Sequence, residues 1–142
     1  MLLNTSFNNN AEPIVQTVAD AMVCYLTSGL DHLVVGDFIA TKTAAPAADV
    51  LRLKASLPVA AQLIRTRRHV GPRQEQVTHH IAWNYEAGRR VDISPALHAL
   101  LADCDGTRPL AAAAAQLGIA TGPELVEEVW RAWSERVVVL SP

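Results

Sequence analysis

The first 42 residues alternate between apolar segments and one polar, asparagine-rich segment. Residues 2–7 are apolar enough for a short strand, and the polar run at residues 8–13 favours turn conformations. Thr17 is a suitable N-cap, and apolar residues recur after it at helical spacing as far as Gly29. Residues 33–39 form a second apolar run that predicts a buried strand. The pattern therefore predicts a β–loop–α–β arrangement whose crossover joins two parallel strands.

The middle of the chain, residues 43–75, begins with small residues that suit a linker. The apolar positions that follow, within residues 49–69, fit a helix interrupted at Pro58. The end of this segment is basic because it carries Arg65, Arg67, Arg68 and His69. Residues 43–75 are therefore predicted as a linker followed by a basic helical segment.

In the last part of the chain, residues 76–142, the spacing of apolar residues changes from a strand pattern to a helical one. Residues 76–83 have the composition of a strand, and a turn at residues 86–89 leads to a partner strand at residues 90–93. Three helices are predicted: one from Ser94, one from Pro109 to Leu117 and one from Thr121. Trp130 and Trp133 are predicted to face inward from the third helix, and residues 136–140 to form a terminal strand. The predicted fold class is thus an α/β fragment joined to a mainly α, winged-helix-like domain.

Composition narrows the functional classes. The 142 residues carry a formal net charge of -2 and are 50% hydrophobic, so the chain should fold as one domain or two small ones. Residues 1–51 contain one lysine and five acids, residues 52–90 eight basic and two acidic residues, and residues 91–142 three arginines and seven acids. This acidic, basic, acidic layout excludes a uniformly basic nucleic-acid binder and a disordered acidic tail.

The sequence also bears on the compartment. No apolar run reaches the roughly 18 residues that span a bilayer, and the N-terminal residues lack the features of a signal peptide. Cys24 and Cys104 are far apart and form no CxxC pair, so two reduced, buried thiols are expected. These features predict a cytoplasmic protein that does not associate with membranes.

A specific motif stands near the N-terminus, with Leu-Asn-Thr-Ser-Phe-Asn at residues 3–8 and Glu-Pro-Ile-Val at residues 12–15. Over about residues 2–42 the chain resembles the C-terminal region of the NodU/CmcH-type carbamoyltransferases. The resemblance implies a YrdC-like domain that makes a carbamoyl-adenylate from carbamoyl phosphate and ATP, and a partner domain that transfers the carbamoyl group to a hydroxyl. The residues that it implies as nucleotide and carbamoyl contacts are Asn4, Thr5, Ser6, Asn8 and Glu12.

The chemistry of these side chains suits such ligands, because hydroxyl and amide groups bind phosphate and carbamoyl oxygens without adding charge. Two features depart from the family. Ala11 stands where the family usually has glycine, and residues 1–41 contain no lysine or arginine to neutralise a triphosphate. The metal and acceptor sites of the transferase domain have no counterpart here, so no metal site is expected in this chain.

A second motif, Asp-Gly-Thr-Arg at residues 105–108, lies between two predicted helices. It resembles the helix–DGTR–helix step of PqqD-like winged helices across about residues 76–142. Asp105 is predicted to cap the following helix and Gly106 to supply a left-handed turn, which are structural roles. The resemblance implies a module that binds a peptide or protein, and such modules take an extended segment at a sheet edge.

DNA is an unfavoured partner, because four glutamates against one arginine on the helix at residues 124–135 repel phosphate. Two interpretations of the basic residues between 52 and 90 stay open. They contact nucleic acid or an acidic protein, or they form an ordinary solvated surface. His79 and His80 are adjacent in a predicted strand, so they point to opposite faces and do not chelate one ion together.

Two functional hypotheses follow. In the first, the chain is a fragment of a carbamoyltransferase that is inactive alone and needs the missing part of that enzyme or a second copy of itself. About 42 residues bury too little core to fold alone. In the second, residues 76–142 form a non-enzymatic adaptor that recruits a peptide or another protein. An in-frame continuation of the coding DNA upstream of Met1 favours the first hypothesis, and a stop codon there favours the second.

Overall fold

The computed structural model describes residues 6–8, 14–43, 46–84 and 90–142. The chain divides into two compact units, Met1–Ala44 and Ala45–Pro142. A linker and a helical segment are predicted for residues 43–75. In the structure, residues 46–75 belong to the second unit. The turn predicted at residues 86–89 lies outside the described residues.

The helix of the first unit, α1 (Val18–Thr27), begins where the sequence predicts. The Thr17 hydroxyl oxygen accepts a hydrogen bond from the Asp20 N–H at 3.0 Å, and the Asp20 carboxylate accepts one from the Thr17 N–H at 3.0 Å. This reciprocal capping box satisfies N–H groups that the first helical turn leaves without partners. A small apolar cluster forms the core of the unit, with Tyr25 as its most buried member.

The apolar run at residues 33–39 forms two strands, so the predicted single strand is wrong. β1 (His32–Val35) and β2 (Phe38–Thr41) pair antiparallel, with Val35 opposite Phe38. Gly36 takes the first position of the two-residue turn with φ of 57°, a backbone conformation that costs glycine little. The glycine therefore folds the apolar run back on itself into an antiparallel hairpin. The predicted parallel pairing of residues 2–7 with residues 33–39 lies largely outside the described residues.

The described residues of the second unit form two antiparallel sheets. After a short helix, α2 (Ala47–Arg52), strand β3 (Lys54–Ser56) pairs with the C-terminal strand β7 (Val139–Ser141). The other sheet has the order β4–β5–β6, with β4 (Ala61–Gly71), β5 (Gln74–Trp83) and β6 (Arg90–Asp92). The strands predicted at residues 76–83 and 90–93 are confirmed, whereas the one predicted at residues 136–140 begins only at Val139.

The helix predicted within residues 49–69 is wrong beyond Arg52. α2 ends at that residue, and an eleven-residue strand, β4, occupies the basic part of the segment. Spacing of the apolar residues fits a helix, but the strand gains a ladder to β5 that runs from Ala61–Trp83 to Gly71–Gln74. Pro58 prevents a continuous helix, and pairing with β5 satisfies the backbone groups instead.

Three helices follow the sheet: α3 (Pro95–Asp103), α4 (Leu110–Leu117) and α5 (Pro123–Ser134). Ser94 caps α3 as predicted, because its hydroxyl accepts the Leu97 N–H at 3.0 Å. Gly118 ends α4 in the left-handed conformation, with φ of 66°, as predicted. The cap of α5 is predicted one residue too early, since Gly122 and not Thr121 precedes Pro123 at the first helical position.

The core of the second unit is formed by these helices and the inner part of both sheets. Its fully buried members include Ala55, Ile81, Leu97, Leu100, Leu110, Ala132 and Val137. The inward position predicted for the tryptophans is confirmed for Trp133, at 7% exposure, but Trp130 is 36% exposed. Among the described residues, no helix combines the length and the apolar character needed to cross a bilayer.

Candidate functional site

The N-terminal motif is described in part. Of the predicted ligand contacts, Ser6 is exposed and Asn8 is half-buried, and both lie in irregular backbone. Asn4, Thr5 and Glu12 lie outside the described residues. The strand predicted at residues 2–7 is absent at the two positions that are described, 6 and 7.

Phe7 anchors the described part of the motif to the first unit. Its carbonyl oxygen accepts a hydrogen bond from the Val15 N–H at 3.1 Å, which joins the segments on the two sides of residues 9–13. Both side chains pack against the apolar cluster that contains Tyr25 and Leu33. Ser6 and Asn8 therefore flank an anchored residue, and hydroxyl and amide groups held in this way can donate to the oxygens of a ligand.

Lys42 is the only lysine or arginine among the first 51 residues. Its ammonium group donates a hydrogen bond to the carbonyl oxygen of Ser28, the C-cap of α1, and lies 4.9 Å from the centroid of the Tyr25 ring. A cation at this end of a helix interacts favourably with the helix dipole. The charge therefore stabilises the unit, a role that only the tertiary contacts reveal.

Tyr25 is the polar centre of the first unit's core. Its ring is 1% exposed, and its hydroxyl donates toward the carbonyl oxygens of Asp31 and Ala40, which lie at 2.9 and 3.1 Å. These contacts tie α1 to the open end of the β1–β2 hairpin, where β1 begins and β2 ends. A buried tyrosine with a satisfied hydroxyl supports the fold rather than chemistry.

The first unit also carries an apolar groove of about 490 Å³. Residues of α1 and of the hairpin line it, among them Val18, Met22, Leu33, Val35 and Phe38. Phe38 is 79% exposed and Val18 is 62% exposed, which is unusual for such large apolar side chains. Contiguous apolar exposure of this kind is typical of an interaction surface.

The β4–β5 hairpin of the second unit is buried near its base and exposed further out. Ile81 is fully buried and stands opposite Leu63, whereas Arg67 and its partner Val77 are exposed. His79 stands opposite Arg65 and His80 opposite Ile64, so the two histidines face opposite sides of the sheet as predicted. Within the described part of the chain, no group of three or more potential metal ligands is present.

His79 also contacts α3. Its ring meets that of His98 edge to face, with a centroid distance of 4.7 Å, and Arg65 is its direct partner across the hairpin. Burial, followed by the charges of His79 and Arg65, lowers the pKa of His98 below its ordinary value. Because the unfolded chain binds a proton at His98 more readily, this group contributes less to stability as the pH falls below about 6.5.

The Asp-Gly-Thr-Arg step forms a tight turn between α3 and α4. One Asp105 carboxylate oxygen accepts hydrogen bonds from the Thr107 N–H at 2.9 Å and from the Thr107 hydroxyl at 2.5 Å, and these bonds lower the pKa of Asp105. Gly106 has a positive φ of 81°, as predicted. The predicted cap is wrong, because Asp105 stabilises the turn while Pro109 precedes α4 without a side-chain cap. The Arg108 guanidinium group forms an ion pair with the Asp103 carboxylate, with 2.7 Å between Nη2 and Oδ2, which links the turn to α3.

Glu128 has a role that the sequence does not indicate. Its carboxylate accepts hydrogen bonds from the Ser94 N–H and from the Ser94 hydroxyl, both at 2.6 Å, although 34 residues separate the two. Its side chain is 15% exposed, and Arg131 lies 3.6 Å away. One of the four glutamates counted as repelling DNA is thus directed at the start of α3, while Glu124 and Glu127 are exposed.

Comparison with known proteins finds a family match within the first unit. Residues 1–42 match the family profile described as "Carbamoyltransferase C-terminus". The resemblance predicted for about residues 2–42 is therefore confirmed, while the PqqD-like resemblance remains a prediction.

Individual relatives extend the match beyond this region. The chain is 42% identical to Nodulation protein NolO of Bradyrhizobium diazoefficiens over 144 residues, which cover 100% of this chain and 26% of NolO. It is 42% identical to Nodulation protein NolNO of Sinorhizobium fredii over 110 residues, or 78% of this chain and 16% of NolNO. An uncharacterised Synechocystis protein is 48% identical over 46 residues, or 32% of this chain and 8% of that protein. The chain thus spans about a quarter or less of the length of these relatives, and the alignment with NolO extends over both units of this chain.

Proposed function

We propose that this chain is part of a carbamoyltransferase that activates carbamoyl phosphate with ATP and transfers the carbamoyl group to a hydroxyl acceptor in biosynthesis. The observation that carries the proposal is the match of residues 1–42, with its Leu-Asn-Thr-Ser-Phe-Asn motif, to the carbamoyltransferase C-terminus. The names of NolO and NolNO support nodulation as one setting for such a reaction. We also propose a cytoplasmic location, because neither cysteine has the spacing of a disulfide or metal framework.

In this proposal the N-terminal motif contacts the nucleotide and the carbamoyl group. Asn4, Thr5, Ser6, Asn8 and Glu12 belong to the contact region, with hydroxyls and amides donating to phosphoryl and carbamoyl oxygens. Lys42 is held at the end of α1, so the charge of the phosphates is balanced by groups elsewhere. Carbamoyl phosphate and ATP supply the activated carbonyl group, and the motif orients it.

The remaining part of the carbamoyltransferase domain is the partner that we propose for the first unit. The exposed apolar residues around the groove of α1 and the hairpin support this proposal, because burial of such side chains is the main favourable term in association. The much greater length of NolO supports it as well. A second copy of the chain is the alternative occupant of this surface.

Titration of the chain with carbamoyl phosphate and with ATP tests the motif. We expect binding heat with at least one of the two, and Asn8→Ala should weaken it about tenfold because an amide donor is lost. Asn84→Ala, the same change at an exposed position of the second unit, is the matched control and should bind as the unchanged chain does. Absence of heat with both ligands, or an equal loss in the two variants, contradicts the proposed contacts.

A peptide- or protein-binding role for a PqqD-like, winged-helix-like second unit is the second candidate. An antiparallel three-stranded sheet followed by three helices supports it, as does the long edge strand β4, which pairs only with β5 among the described residues. The Ile93 N–H donates to the His79 carbonyl at 2.9 Å, so the His79 backbone faces β6. By the alternation of antiparallel ladders, the backbone groups of Arg65 and Leu63 then face outward from β4, where an extended segment adds a strand.

Hydrogen exchange at single amides tests this second candidate. The N–H groups of Leu63 and Arg65 should exchange rapidly in the chain by itself and about tenfold more slowly with an excess of a peptide of alternating Glu and Val residues. The Ile64 N–H, which faces β5, is the internal control and should not change. Unchanged exchange at all three amides would contradict edge pairing with an acidic segment.

A further inference from the structure

The second unit carries a polar groove of about 640 Å³ on one face of the β4–β5–β6 sheet. Its polar lining is contributed by all three strands and includes Thr66, Arg68, Gln76, Thr78, His80 and Arg90. The register brings four of them together, since Thr66 stands opposite Thr78 and Arg68 opposite Gln76. This face is the reverse of the one on which Ile81 enters the core, because neighbouring residues of a strand point to opposite sides.

The charge of the polar groove is predominantly positive. Arg68 is exposed and forms no ion pair with any described residue. Arg90 is balanced in part by Asp92, also in the lining, whose carboxylate lies 3.5 Å from the Arg90 Nε. A guanidinium group without a carboxylate partner offers a planar fork of donors that matches the oxygens of phosphoryl and carboxylate groups.

A buried nitrogen in the lining lacks a hydrogen bond. His80 Nδ1 is inaccessible to solvent and has no hydrogen-bond partner among the described residues. Buried polar atoms in folded proteins are nearly always satisfied, so an orphaned ring nitrogen marks an incomplete polar network. His80 stands opposite Asp92 across β5 and β6, which places this incomplete network beside the Arg90–Asp92 pair.

We propose that the polar groove binds a small anionic ligand through a phosphoryl or carboxylate group. Arg68 holds the anion, and the hydroxyls of Thr66 and Thr78, which are the next cross-strand pair along the same face, donate to its remaining oxygens. Arg90 adds positive charge further along the groove. Volume supports a small molecule, since about 640 Å³ lies within the range of ligand pockets. The proposal is independent of carbamoyl transfer, because every residue involved belongs to the second unit.

Calorimetric titration of the chain with inorganic pyrophosphate, and separately with citrate, tests the groove. We expect saturable binding of at least one anion, and the anion that binds identifies the chemistry of the ligand group. Arg68→Gln should weaken binding about tenfold. Arg67→Gln removes the same charge from the neighbouring residue on the opposite face, where Arg67 pairs with Glu75 at 3.3 Å, and should change the affinity less than about twofold.

Both substitutions are at exposed positions, and thermal melts of the two variants should coincide with that of the unchanged chain. Any one of three results overturns the proposal. The first is that neither anion binds saturably, and the second is an equal loss of affinity in the two variants. The third is that a single-stranded oligonucleotide binds while neither small anion does.

Discussion

Replacing Ile81 with alanine is expected to lower the free energy of unfolding of the second unit by about 2–5 kcal/mol. Ile81 is fully buried and belongs to the main apolar cluster, which joins β5 to the helices. Truncation removes buried methyl and methylene groups and leaves a cavity that neighbouring side chains fill only in part. The effect should be large because Ile81 joins the long hairpin to the core.

Urea unfolding followed by tryptophan fluorescence measures this change. The chain's tryptophans, Trp83, Trp130 and Trp133, all belong to the second unit, so their signal reports that unit. Val77→Ala is the matched control, because Val77 lies on the same strand and face as Ile81 but is 38% exposed. Val77→Ala should lower the free energy of unfolding by less than about 1 kcal/mol. Similar losses in the two variants would show that the outer hairpin is as tightly packed as its base.

Replacing Glu128 with alanine should lower the free energy of unfolding of the second unit by about 1.5–3 kcal/mol. The change removes a carboxylate that accepts two hydrogen bonds from Ser94, at the N-terminus of α3. Hydrogen bonds to a charged acceptor are stronger than neutral ones, and their loss leaves the Ser94 N–H without an acceptor. The contact between α5 and the start of α3 is therefore expected to weaken most.

Two further variants separate this effect from loss of charge. Glu127→Ala removes a neighbouring, exposed glutamate from the same helix and should change stability by less than about 0.5 kcal/mol. Glu128→Gln retains one carbonyl acceptor for Ser94 and should show an intermediate loss. The same urea unfolding measures all three. A result in which Glu127→Ala costs as much as Glu128→Ala would mean that the hydrogen bonds to Ser94 contribute no net stability.

The alternative roles of the second unit use different parts of the hairpin. Edge pairing uses outward backbone groups of β4, such as those of Leu63 and Arg65, whereas the polar groove uses side chains such as Arg68 on one face of the sheet. Neither involves Ile81 or Glu128, so variants at those two residues test stability without altering either surface directly.

Features that depend on a few neighbouring residues were predictable. Thr17 and Ser94 are caps in the structure, Pro95 begins α3 and Gly118 ends α4, because each acts on backbone groups within one helical turn. The carbamoyltransferase motif was also recognisable, since residues 3–8 and 12–15 are specific by their order alone. Ser6 and Asn8 are its only described members among the predicted ligand contacts.

Features that depend on pairing between distant residues were not predictable. The apolar residues before Arg65 fit a helix, and only the ladder to β5 makes the segment a strand. Residues 33–39 read as one strand until the turn at Gly36 pairs Val35 with Phe38.

By itself, the sequence determined the start of α3, the end of α4, the acidic, basic, acidic layout and the carbamoyltransferase likeness of the N-terminal region. These are local or compositional properties. Tertiary structure alone decided that Glu128 holds Ser94, that Lys42 is held at the end of α1, and that the basic segment forms an exposed hairpin. The physical reason is that hydrogen bonds and strand ladders between distant residues depend on three-dimensional proximity, which neither periodicity nor composition records.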